Sequence, residues 1–335
     1  MTTMEAVRLH EIGGPQHLRV ETIERPKPGP GEVLVRIRAA AFNRRDIFIT
    51  QGLYPGIELP RTLGSDGAGE VVELGPDVDD LALGDPLVID PMLGWGADPH
   101  VWDAGASILG MPRDGTFAEY VVAPRINVYP KPASLTMEEA AAIPLAGLTA
   151  FRATFTRGEL RSGETVLIPG IGGGVQTFVL LYAKSIGARV IVTSGSDEKL
   201  ARATELGADL AINYRDAADW QKIARKAGPI DLVVDSSGGD TLAKSLSAVR
   251  PGGRIVIYGG TRGDATMKLF PLFWNHVDIR GTSMGSPEDF RAMLELFARG
   301  VRPAIDRVYP MNEVVAAAQR MAMSEQFGKI ILRIA

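Results

Sequence analysis

The chain has 335 residues, enough for about two domains at roughly 150 residues each, and its 45 % apolar and 23 % charged content is that of an ordinary soluble globular protein. A net charge of −4 without a long basic run leaves no electrostatic case for binding nucleic acid. The absence of cysteine excludes disulfides, thiolate metal sites and thiolate nucleophiles.

The opening stretch "MTTMEAVRLHEIGGP" carries charges early and lacks an apolar core, so it does not read as a signal peptide. The longest weakly polar stretches, such as "AAAIPLAGLTAF", are too short to span a membrane, and a cytoplasmic protein is expected. Residues 1–130 hold short β-branched runs broken by Pro and Gly: "GEVLVRIRAAAF", "GAGEVVELG", "DPLVID" and "GTFAEYVVAP". Such runs predict a small all-β unit. Residues 91–112 have little periodicity and read as a long loop. "LTMEEAAAIPLAGLTAFRATF" reads as helical. From Glu164 the pattern alternates. Strands in "TVLIPG", "ARVIVTS", "LAINY", "IDLVVDSS" and "GRIVIYGG" are interleaved with helices near 175–186, 197–206, 216–227 and 239–249. That alternation predicts an α/β parallel sheet with right-handed crossovers. The last segment, "IDRVYPMNEVVAAAQRMAMSEQFGKIILRI", reads as strand, helix, strand.

The stretch "LIPGIGGGVQTFVLLYAKSIGARVIVTS" carries the clearest chemistry. Gly170, Gly172, Gly173 and Gly174, with Val175, follow an apolar strand and open a helix. Glycines there let the backbone approach a pyrophosphate, and the helix start offers free N–H groups and a positive dipole end. The motif alone is weak, but a strand before it, a helix after it and a second strand about 20 residues on are the context it needs. The third place of G-x-G-x-x-G is Val175 rather than glycine, and Gln176 takes a position that is normally small. Its side chain must point elsewhere or hold the helix slightly off the strand. The second strand ends on Ser194, where a site for an unphosphorylated ribose usually has an acid. Ser194, Ser196 and Lys199 suit a 2′-phosphate, which favours NADPH over NADH; Lys199 can also be read as a solvated helix residue. Asp197 and Glu198 are expected to cap the helix that Lys199 enters.

Several further stretches carry a family likeness: "AAFNRRDIFITQGLYPG", "LPRTLGSDGAGEVVELG", "GTFAEYVV", "AAAIPLAGLTAF", "VLIPGIGGGV", "VVDSSGGDT", "RPGGRIVIYGG" and "FGKIILRI". Over nearly its whole length the chain resembles the medium-chain dehydrogenase/reductase superfamily. It looks most similar to the metal-free, ζ-crystallin-like quinone oxidoreductase branch. The resemblance implies a GroES-like β-domain at 1–146, a Rossmann doubly wound parallel-sheet domain at 147–284, and a segment 285–335 that returns to the first domain, with the active site in the cleft between the domains. The zinc members bind catalytic metal through Cys, His and Cys; the matching positions here are Asn43, Ser65 and Leu145, and zinc favours thiolate and imidazole. No metal is expected. Loop 91–112 matches the structural-zinc lobe without its cysteines, and His100, Asp98 and Asp103 read as ordinary loop residues.

An alcohol or simple ketone needs a Lewis acid to polarise its oxygen, whereas a quinone or enone is already activated. The expected activity is therefore NADPH-dependent reduction of a quinone or α,β-unsaturated carbonyl. By the resemblance, Asn43 and Tyr54 are the donors to the acceptor and Asp46 braces them. Asn43 as a turn cap and Tyr54 as a core residue are the plainer alternatives. By the same matching, Thr149, Tyr214 (with Arg215 beside it), Met284 and Lys329 reach the cofactor. Ser236 and Ser237, and Gly259 and Gly260, end the fourth and fifth strands, where open α/β sheets bind ligands. "HVDIRGTSMGS" resembles the edge strand through which such proteins pair, so a homodimer is expected. An alcohol dehydrogenase and a non-catalytic NADPH-binding protein are the rival readings.

Overall fold

A computed structural model describes residues 2–334. The chain forms two compact units: one takes the chain up to Ala146 and again from Ser286, and the other takes Gly147–Gly285. In chain order the first unit contains β1 (Thr3–Leu9), β2 (Leu18–Glu24), β3 (Glu32–Ala41), α1 (Arg44–Thr50), β4 (Arg61–Thr62), β5 (Asp66–Leu74), β6 (Pro86–Ile89), β7 (Met92–Leu93), β8 (Ser107–Ile108), β9 (Tyr120–Pro124), β10 (Val128–Pro130) and α2 (Met137–Ala142). Helix α3 (Pro144–Phe151) leads into β11 (Thr165–Ile168), α4 (Gly174–Ser185), β12 (Arg189–Ser194), α5 (Asp197–Glu205), β13 (Leu210–Asn213), α6 (Trp220–Lys226), β14 (Leu232–Asp235), α7 (Gly239–Ala248), β15 (Arg254–Ile257), α8 (Leu269–Trp274) and β16 (Asp278–Gly281). The chain ends with α9 (Pro287–Ala298), β17 (Ile305–Pro310), α10 (Val314–Ala322) and β18 (Lys329–Arg333).

The main sheet of the first unit runs β10-β6-β5-β3-β18-β17, with β9 also on β3, and a smaller sheet runs β2-β1-β4. Strand β3 is its spine. Its residues Val33, Val35 and Ile37 are buried in one core with Phe42, Phe117 and Ile330. Strand β18 pairs antiparallel with β3 from Ile331↔Ala41 to Arg333↔Ala39, which brings the chain's last strand beside the residues that precede α1. The second unit holds one sheet in the order β13-β12-β11-β14-β15-β16, parallel throughout. Strands β11 and β14, "TVLI" and "LVVD", are buried at every residue. Helices on both faces of a parallel sheet require such unbroken apolar runs. The expected fold class, a GroES-like β-unit plus a Rossmann doubly wound sheet, is what the structure has.

Three local expectations need correction. The helical stretch from Leu135 breaks in two, because Pro144 cannot donate into the turn before it and instead starts α3. Helix α6 begins at Trp220, not 216, since the chain after β13 first makes a turn that Ala217 N–H closes on Asn213 O at 3.1 Å, and Trp220 N–H then donates to Ala217 O at 3.0 Å. Residues 91–112 are not wholly irregular: β7 and β8 pair antiparallel, and buried Trp95 donates Nε1–H to Asp98 O at 2.8 Å. Two-residue strands are too short to leave a periodic signal. Among the described residues no helix is long and apolar enough to cross a membrane.

Candidate active site

In the second unit the glycine loop joins β11 to α4. Gly170 and Gly172 have φ of +73° and +140°, conformations that side chains other than glycine rarely adopt. Gly173 is the N-cap of α4 and receives no side-chain cap, so the N–H groups of the first turn, which have no intrahelical acceptor, are left for a ligand. The surroundings are tight. A Cβ on Gly172 would lie 2.9 Å from Lys199 Cδ, and one on Gly173 would lie 2.4 Å from Gln176 Oε1. Lys199 thus arches over the loop from α5. Gln176 folds back over the N-cap and donates Nε2–H to Ser236 Oγ at 2.8 Å. That settles where an oversized residue goes: across to the end of β14 rather than against the strand behind it.

The end of β12 gathers the residues expected around a ribose. Ser194 is buried and its Oγ accepts from Ser196 N–H at 3.2 Å. Ser196 is the N-cap of α5, accepting from Lys199 N–H at 3.4 Å, so Ser196 performs the capping assigned above to Asp197 and Glu198. Those two acids lie in the first turn, and Asp197 accepts from Asn213 Nδ2 at 2.8 Å. A Cβ on Gly195 would meet Tyr214 Cε2 at 2.8 Å and Arg215 Nε at 2.9 Å. Tyr214 and Arg215 therefore lie directly on this loop. Gly195 was not singled out in the sequence; its place between two serines at a strand end was the available signal.

At the ends of β14 and β15, Asp235 accepts from Ser237 N–H at 2.6 Å, and Thr261 and Arg262 N–H donate to Ser236 O and Ser237 O at 3.1 and 2.8 Å. Burial pushes the Asp235 carboxyl up from its ordinary value. These bonds hold Ser236, Ser237, Gly259 and Gly260 together as one rim. Thr149 is buried on α3. Met284 is buried with φ of +51°, a strained conformation for a long side chain.

In the first unit a polar cluster lies where α1 starts. Asn43 N–H donates to Asp46 Oδ2 at 2.8 Å, and Asp46 sits three residues into the turn. Asn43 Nδ2 donates to Asp66 Oδ2 at 2.9 Å, while its Oδ1 accepts from Lys329 Nζ at 2.8 Å. Lys329 Nζ also donates to Phe42 O at 2.8 Å and to Asp66 Oδ2 at 2.7 Å, and Leu145 N–H donates to Asp66 Oδ1 at 2.8 Å. Asp66 thus draws together Asn43, its neighbour Ser65 and Leu145. Burial is the main force on Asp46, pushing its carboxyl up to about 6 against the pull of Arg45 and of Asn43 N–H. A second set adjoins the first. Arg45 Nη1 donates to Ser65 Oγ at 2.6 Å and to Leu109 O at 2.9 Å, and Arg45 Nε donates to Tyr54 Oη at 3.3 Å. The guanidinium also lies 4.8 Å from the centre of the Tyr54 ring.

One expected role changes in kind. Lys329, matched above to a cofactor-reaching lysine, is 2 % exposed, and its three N–H donors go to Phe42, Asn43 and Asp66. An ammonium has three donors, so none is left for a phosphate. Asp46, expected as a brace, is enclosed at 1 % exposure and holds Asn43 N–H at 2.8 Å. Asn43 keeps one amide hydrogen beyond its bond to Asp66, and Tyr54, partly buried, keeps its own O–H.

A Rossmann unit with a glycine cradle, joined to a GroES-like unit with a buried polar cluster, defines the class: a dehydrogenase or reductase that uses a dinucleotide. Comparison with known proteins agrees. Residues 29–133 match the family described as alcohol dehydrogenase GroES-like domain, and residues 174–299 match zinc-binding dehydrogenase. The zinc-type alcohol dehydrogenase-like protein YogA of Leptosphaeria maculans is 36 % identical over 95 % of this chain and 94 % of its own length. The quinone oxidoreductase of Mus musculus is 28 % identical over 98 % of this chain and 97 % of its own length. A crystal structure titled NAD-dependent alcohol dehydrogenase superposes with a TM-score of 0.94 at 38 % identity, covering 99 % of this chain and all of that one. The chain belongs to the medium-chain dehydrogenase/reductase superfamily and is a pyridine-nucleotide-dependent oxidoreductase.

The cradle fits the dinucleotide: Gly170 and Gly172 take backbone conformations that favour glycine, and Gly172 and Gly173 leave space over the helix start that a Cβ would crowd. The residues do not fit the zinc of the family's description. Asn43, Ser65 and Leu145 offer an amide, a hydroxyl and no donor, and the first two are already bonded to the cations of Lys329 and Arg45. Among the described residues no group of three His, Cys, Asp or Glu is arranged to hold a metal.

Proposed function

We propose that the protein is an NADPH-dependent reductase of quinones or α,β-unsaturated carbonyls that works without a catalytic metal. The observation that carries this reading is the pair of cations, Lys329 and Arg45, bonded at 2.8 and 2.6 Å to Asn43 and Ser65, the positions matched to metal ligands. When bound, the nicotinamide supplies a hydride. The chain's own residues would do the rest. The cradle of Gly170–Gly174 binds the pyrophosphate, and Lys199 and Arg215 attract the 2′-phosphate that an acid at Ser194 would repel. The spare N–H of Asn43 and the O–H of Tyr54 orient the acceptor oxygen, and Tyr54 supplies its proton, which solvent replaces. Asp46 holds Asn43 in position.

A second reading, NAD-dependent alcohol oxidation, is favoured by the names of the relatives and of the similar structure. One assay separates the two. Chelator-treated protein is mixed with NADPH or NADH and a panel of quinones, enones and aldehydes, and in reverse with NAD and alcohols. Enone or quinone reduction that prefers NADPH and survives chelation is expected. Alcohol oxidation with NAD that chelation abolishes would overturn the proposal.

A further inference from the structure

Arg45 is the least expected member of the first unit's cluster. It is 8 % exposed, and a buried guanidinium costs several kcal/mol unless its charge is answered. Its hydrogen-bond partners are a hydroxyl, a carbonyl and a phenol, and no carboxylate oxygen is among them. Its Nη2 is buried with no acceptor. The plain account, that Arg45 ties Ser65 to the Leu109 loop, explains Nη1 alone. It leaves the Nε bond to Tyr54 and the ring contact without a purpose.

We propose that Arg45 is a positioning residue for the acceptor, acting through Tyr54. Lys329, whose charge Asp66 answers at 2.7 Å, holds Asn43, and Arg45 holds the phenol, so each of the two donors to the acceptor is fixed by a cation of the chain. This rests on the reductase reading above. Because Nε–H donates to the phenol oxygen, the phenol's own O–H points away from Arg45 toward an acceptor. As the hydride's two electrons reach the β-carbon of an enone, negative charge gathers on the carbonyl oxygen. Tyr54 then gives that oxygen a proton and solvent returns one to Tyr54; the enol takes a proton from solvent at its α-carbon and releases the one on oxygen, which leaves the saturated ketone. The guanidinium on the phenol oxygen favours the transient phenolate and so eases the proton's transfer. A guanidinium has donors and no acceptor, so it offers no help to an alcohol that must shed a proton. The arrangement therefore favours conjugated carbonyl reduction over alcohol oxidation.

The test compares Arg45→Lys, Arg45→Gln and Arg45→Met, with Tyr54→Phe and the double variant Arg45→Met/Tyr54→Phe. Each is assayed for melting temperature, for NADPH binding by nicotinamide fluorescence, and for kcat and KM with a cyclic enone. NADPH affinity is expected to stay within about twofold of wild type, since the cradle is untouched, while kcat falls about 100-fold in Arg45→Met. The expected order is Arg, then Lys, then Gln and Met, with partial rescue of Arg45→Met by added guanidinium. The double variant should be no slower than Tyr54→Phe by more than about twofold, because Arg45 acts through the phenol. Arg45→Gln matching or exceeding Arg45→Lys, or fully additive losses in the double variant, would overturn the inference. A wild type that reduces no acceptor while binding NADPH would instead overturn the reductase reading beneath it.

Discussion

Gln176 Nε2 and Ser236 Oγ are 2.8 Å apart, and this bond runs from the helix that follows β11 to the end of β14. Strands β11 and β14 are neighbours, and the chain proceeds outward from them in opposite directions, to β12 and β13 on one side and to β15 and β16 on the other. Dinucleotides bind in the crevice at such a reversal point. The Gln176–Ser236 bond therefore fixes the spacing of the two lips of the crevice. Gln176→Ala is expected to raise the NADPH dissociation constant about fivefold, the worth of one neutral hydrogen bond of about 1 kcal/mol. Ser236→Ala should do the same, and the double variant should lose little more than either single one. Titration of nicotinamide fluorescence reads all three; additive losses would show that the two side chains act independently.

On the proposed reading, cofactor choice is made at the end of β12. Ser194 is buried, Ser196 caps α5, and Tyr214 and Arg215 rest on Gly195. Ser194→Asp would set a carboxylate where a 2′-phosphate is expected, and Arg215→Ala would remove a cation from the same place. Each change should lower the ratio of kcat/KM for NADPH over NADH by at least about tenfold, or about 1.4 kcal/mol, with Ser194→Asp raising NADH use as well. A ratio unmoved by either substitution would place the 2′-phosphate site elsewhere.

Much of this was legible in the sequence because it is local. A strand, a glycine loop and a helix follow one another within Thr165–Ser185, and Asn43 with Asp46 is a helix start four residues long. What could not be read depends on distant pairing. Arg45 looks like one of three charges opening a helix, "RRD", and such charges are usually solvated. It is buried by partners 20 and 64 residues away, Ser65 and Leu109. Lys329 reads as a surface charge or a cofactor contact until β18 pairs with β3 and brings it to Asn43, 286 residues distant. Gln176 breaks a small-residue rule whose meaning depends on Ser236, 60 residues on.

Asp90 gives a pH-dependent prediction that is independent of the catalytic reading. It is buried at the end of β6, accepts from Met92 N–H at 3.0 Å, and feels the charge of Arg291 at a distance, with Tyr129 close by. Burial dominates, and its carboxyl is pushed up to about 8. The folded state therefore holds a proton that the unfolded chain gives up at about pH 4. Stability from this group is complete below about pH 4 and is lost as pH rises through about 8. Asp90→Asn keeps the acceptor for Met92 and never ionises. Its melting temperature relative to wild type should therefore climb between about pH 4 and about pH 8 and level off above that. A difference that is flat with pH would mean that Asp90 is ionised in the folded protein.

Strand β16 ends its sheet with one side unpaired, and α8, the helix before it, exposes Leu269, Phe270, Phe273 and Trp274 by 58 to 66 %. Phe270 and Trp274 stack at 5.3 Å, so the rings form one patch rather than scattered apolar residues. An open strand edge and an exposed aromatic patch each invite association, and the expected partner is a second copy of the chain. The wild type is expected to sediment as a homodimer. Phe270→Glu with Trp274→Glu should shift it to monomer while leaving NADPH affinity within about twofold, because the cradle lies at the ends of β11, β12 and β14 rather than at the β16 edge. A wild type that remains monomeric across the whole concentration range would refute the dimer, and a double-Glu variant that stays dimeric would show that the aromatic patch takes no part in it.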